Sequence, residues 1–132
     1  MRFSDYINES QVWKYFKKDS TGMPFYDEMI DNPDYYRERK GYDSKIVMMS
    51  PAEYMKGSAK IHKSTYTAQV DNLDPDRIAE IADKIKSGGS KMPMMVLDYA
   101  RNEQEGRHRS QIARKLGLPE VPVLVVNKVE KK

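Results

Sequence analysis

The segment Gln104-Glu105-Gly106-Arg107-His108-Arg109-Ser110 gathers two arginines, a histidine and an acid around one glycine. It leads into Ser110–Leu116, where Ile112, Ala113 and Leu116 predict a short helix with one buried face, ended by Gly117. A helix start with these residues suits an anion. Unpaired backbone N–H groups and the positive end of the helix dipole converge there. Gly106 allows close backbone approach or a positive φ. Arg107 and Arg109 carry forked donors that match phosphate oxygens two at a time, and Ser110 adds a hydroxyl. His108 can donate to a phosphate when protonated or act as a general base when neutral. Glu105 could position a metal ion, accept a sugar hydroxyl or pair with an arginine, and spacing does not rank these roles.

Regular elements must hold that segment in place. Ile46-Val47-Met48-Met49 predicts a short apolar strand, and Ser50-Pro51-Ala52-Glu53 opens a helix or turn. There Ser50 is the cap, Pro51 the first helical residue and Glu53 a capping-box acid. Glu53 also has a functional reading, since acids at the carboxyl end of a strand often face ligands in open α/β sheets. Residues 57–72 read as polar loop or weak strand, with His62 on the surface. Asp74 and Pro75 then start a helix that buries Ile78, Ile81, Ala82 and Ile85 and stops at Gly88-Gly89. Residues 92–99 predict a strand whose methionines are packing residues. Residues 101–103 read as a polar turn, and Val121–Val126 as a final β-branched strand. The expected fold is α/β (α+β), a small mixed sheet with packed helices.

Before this core lies an arm, residues 1–44, with Trp13, Phe16, Phe25, Tyr26, Tyr35 and Tyr36 among lysines and arginines. A short helix is expected after Ser4, and Asp31-Asn32-Pro33 breaks the chain. These rings either pack the arm onto residues 45–132, the favoured reading, or offer a stacking platform for nucleic acid or a protein partner. With no cysteine, disulfides, thiolate nucleophiles and cysteine zinc sites are excluded, and two histidines do not make a multi-histidine metal site. The net charge of +3 is too balanced to mark a nucleic-acid binder by composition alone. No apolar run reaches spanning length and no signal stretch opens the chain, so a cytoplasmic protein without membrane contact is expected.

Glu105-Gly106-Arg107-His108-Arg109, with Leu116-Gly117-Leu118 and Val121-Pro122-Val123 after it, resembles the ParB-like nuclease domain of the ParB/sulfiredoxin superfamily, in a short phage-type form. The likeness is close over 96–126 and looser over 45–126. It implies that Gly106, His108 and Arg109 form a Gly-x-x-Arg box for nucleotide phosphates, often with magnesium, in a bacterial or phage-infected cell. A sulfiredoxin needs a cysteine where Arg107 stands, and a partition clamp needs further regions after the nucleotide domain. The leading expectation is therefore a phosphoester hydrolase, nuclease or NTPase, acting on ATP, CTP or DNA. In it Glu105, with Glu53 or Asp98, holds Mg2+ and His108 moves the proton. The alternatives are a non-catalytic nucleotide- or DNA-binding module, and a small-molecule kinase with Glu53 as base.

Overall fold

A computed structural model describes residues 12–65, 68, 73–88 and 90–130. Helix α1 (Pro24–Asp31), a single turn α2 (Pro33–Tyr35) and a π-helical turn (Tyr36–Lys40) lead into β1 (Tyr42–Met49). Helices α3 (Pro51–Ile61) and α4 (Pro75–Lys86) follow, then β2 (Met95–Asp98), β3 (Glu103–Glu105), α5 (Arg107–Lys115) and β4 (Val121–Lys128). The strands form one sheet in the order β1-β4-β2-β3. β4 is antiparallel to β1 and parallel to β2, while β2 and β3 form an antiparallel hairpin. This is the small mixed sheet with packed helices that the sequence led us to expect.

Every residue of β2 is buried, because both faces of the sheet are covered there. On one face Met95, Leu97, Val121 and Val123 pack with Tyr54, Met55, Ile78, Ile85 and Ile112 from α3, α4 and α5. On the other, Val96, Leu124 and Val126 pack with Tyr26, Met29 and Tyr36 from the N-terminal arm. The arm's rings also meet one another edge to face, Phe25 lying 5.1 Å from Tyr26 and 5.8 Å from Tyr36. The predicted helix after Ser4 falls mostly outside the described residues; Val12 is helical, and Trp13–Tyr15 form a turn that ends in a bridge between Phe16 and Met92. No helix among the described residues is long and apolar enough to cross a membrane.

Three elements differ from the sequence reading. Helix α3 runs on through Gly57–Ile61, where a polar loop was expected. Gly57, Ser58 and Ala59 are all buried, because small residues let this helix sit close to β2. A Cβ at Gly57 would fall 2.6 Å from the Tyr99 hydroxyl and 2.7 Å from a Leu97 methyl. Strand β3 replaces part of the expected turn; with the sequence Glu-Gln-Glu it carries no apolar signal at all. Helix α5 starts at Arg107 rather than Ser110, so the basic residues lie inside its first turn.

Candidate phosphate-binding site

Gly106 joins β3 to α5 with φ of 134°, a conformation that L side chains rarely adopt, and it is buried against β2. A Cβ there would sit 2.3 Å from Met95 Cγ and 2.8 Å from Met95 Cβ. The following turn differs from every other long helix start past the arm. At α3, Ser50 Oγ accepts from Glu53 N–H while Ser50 N–H donates to Glu53 Oε1. At α4, Asp74 Oδ1 accepts from the N–H groups of Asp76 and Arg77. At α5 no side chain caps the helix and no acid stands in its first turn. Instead Arg107 and Arg109, with His108 between them, stand where the helix dipole is already positive.

The residues of this turn separate around the helix axis. His108 and Arg109 line a pocket between α5 and α4, together with Asp74, Arg77, Met92 and Ile112. Arg77 and Asp74 were missed as site residues because in sequence they read as an ordinary helix start. Arg107, Arg109 and Glu105 instead lie within electrostatic reach of Tyr54. Burial pushes the Tyr54 hydroxyl pKa upward, Glu105 adds to the rise, and the two arginines oppose it. That hydroxyl donates to Gln104 Oε1 at 2.8 Å, tying β3 to α3 beneath the turn. One turn beyond Arg107, buried Gln111 has an amide nitrogen with no acceptor among the described residues.

Two residues of the segment are anchors. Arg109 Nη1 donates to the carbonyls of Thr21 at 3.1 Å and Met94 at 2.9 Å. Thr21 in turn donates its N–H and hydroxyl to Asp27 Oδ1, so Arg109 fastens the start of α1 to the core. Ser110 is fully buried, and its hydroxyl donates to Pro51 O at the start of α3. It faces the helix packing rather than the open end of α5.

The acids are dispersed. Glu105 is exposed at the end of β3, next to the turn. Glu53 is committed to its cap, where the Ser50 backbone N–H and hydroxyl hold its carboxyl below the usual range, making it a weak base near neutrality. It lines a different groove from His108. Asp98 is fully buried and points toward the arm. It accepts from the Tyr26 hydroxyl at 2.7 Å on Oδ2, and from the N–H groups of Ala100 and Arg101 on Oδ1. Burial and the bond to Asp98 push the Tyr26 pKa upward, so the phenol stays a donor. Glu105 and Asp98 therefore do not fit a protein-built magnesium cage, and no group of three or more acids or histidines among the described residues could hold a metal ion. Tyr26→Phe removes the donor to buried Oδ2, and urea unfolding should show a loss of about 1.5 to 2 kcal/mol.

Compared with known protein families, residues 56–132, more than half of the chain, match the ParB N-terminal domain. A search of the curated proteins gives no match. A search of the solved structures gives none either. The matched stretch includes β2, β3, α4, α5 and β4, and with them the whole Gly106 turn. On this match the chain belongs to the ParB N-terminal domain family.

Proposed function

We propose that the first turn of α5, with Arg77 from α4, binds the phosphates of a nucleoside triphosphate, ATP or CTP, or of a nucleic acid. The uncapped, cationic helix start carries this reading. The turn has no acid of its own and no side-chain cap for its N–H groups, and an anionic ligand would complement the arginines and the helix dipole together. Arg77 and Arg109 line the pocket with forked guanidinium groups, and Arg107 adds a third at the same helix start, outside that lining.

The proton transfer is assigned to His108, a reading supported by its exposure and by its place in the pocket beside Asp74. Phosphoester hydrolysis is the reaction we assign to it. Glu105, exposed beside the turn, would be the one protein carboxylate to hold a magnesium ion, which would neutralise phosphate charge.

Thermal unfolding with ATP, CTP or a short DNA duplex, with and without magnesium, tests the reading. A ligand at a hundredfold excess over its Kd stabilises the native chain by roughly 2.7 kcal/mol. Stabilisation lost in Arg107→Ala and His108→Ala, with phosphate release lost in the latter, is the expected result. Stabilisation by none of these ligands would overturn it.

A further inference from the structure

Beside α3, on the face of the sheet it only partly covers, lies an open groove whose floor is Val47, Leu97 and Val125. Three lysines rim it: Lys45 from β1, and Lys56 and Lys60 one turn apart on α3. The acid in its lining is Glu53, whose carboxylate is engaged in the Ser50 capping box, so the groove presents net positive charge. Nothing in the proposed nucleotide site uses it, since that site lies between α4 and α5.

Strand β1 borders this groove and is an edge of the sheet, pairing among the described residues with β4 alone. An edge strand offers a row of N–H and C=O groups to an added strand. The eight residues of β1 are long enough to take one. Along it Lys45, Val47 and Met49 share the groove face, because side chains alternate with a period of two. A segment added beside β1 would therefore present every second side chain to the lysines and the apolar floor.

We propose that this groove and the β1 edge form a docking surface for an extended acidic segment of a partner protein. Carboxylates at alternate positions meet Lys45, Lys56 and Lys60, apolar side chains cover Val47, and the backbone extends the sheet. A nucleic acid suits the groove less well. Its cations are lysines, point charges without the fork that matches phosphate, and it lacks exposed rings for base stacking, Tyr99 being half-buried against α3.

Fluorescence anisotropy with a labelled peptide of alternating glutamate and valine tests this. The expected result is saturable binding that weakens with salt and falls roughly tenfold or more in Lys56→Glu/Lys60→Glu. Both positions are exposed, and an unchanged melting temperature in the double variant verifies that it folds. A lysine–valine peptide binding equally well would overturn the proposal. So would tighter binding of a single-stranded oligonucleotide that the double variant abolishes, or the absence of peptide binding.

Discussion

Gly106→Ala is expected to destabilise the protein by about 3 kcal/mol, combining the strain of a positive φ with overpacking against β2. At φ of 134° an alanine is strained whatever the surrounding space. There is also no space: the added methyl would meet Met95 at both Cγ and Cβ, with Met95 Cα only 3.3 Å away. Rotating the methionine side chain could relieve the contact with Cγ but not those with Cβ and Cα. The hairpin or the helix must then shift, moving the first turn of α5 away from its pocket. Urea unfolding measures the loss, and a value under about 1 kcal/mol would mean that the turn relaxes freely.

Arg109→Ala should cost about 2 to 4 kcal/mol, because two carbonyls lose their charged donor together. Those carbonyls belong to segments far apart in sequence, Thr21 before α1 and Met94 before β2. A lysine has a single ammonium in place of the planar fork, so Arg109→Lys should recover only part of the loss. Limited proteolysis adds a second readout. Cleavage within residues 17–23 should accelerate in Arg109→Ala more than cleavage in β4. Unchanged stability would contradict the strut role. Because this arginine fastens the arm, a loss of ligand affinity in its variants mixes folding with binding. Arg107 and His108 are the cleaner probes.

Much of this was legible in the residues, for identifiable reasons. Helix α4 carried an unambiguous cap, a proline at its first position and isoleucines at helical spacing, and its start is where the sequence placed it. The Ser50-Pro51-Ala52-Glu53 box likewise formed with both of its bonds. Strand β3 was hidden because an exposed edge of three polar residues looks like a turn. The second half of α3 was hidden because Ser58 and Ala59 are small to suit packing, not because they are solvated.

At the site, the sequence grouped 104–110 as one box, whereas helix geometry divides it. His108 and Arg109 turn toward α4, and Ser110 turns into the core. Arg77 came from an element thirty residues upstream with no motif of its own, so no local reading could add it. The roles of Asp98 and Arg109 as anchors depend on Tyr26 and Thr21, partners separated from them by 72 and 88 positions. Such pairings follow from the tertiary fold and leave no local pattern.

Phosphate binding at α5 is tested most directly by following backbone amide resonances while a nucleoside triphosphate with magnesium is added. The largest displacements are expected at Gly106, Arg107, His108 and Arg109, with Arg77 across the pocket moving alongside them. Displacements centred instead on Lys45, Lys56 and Lys60, or none anywhere at saturating nucleotide, would contradict it.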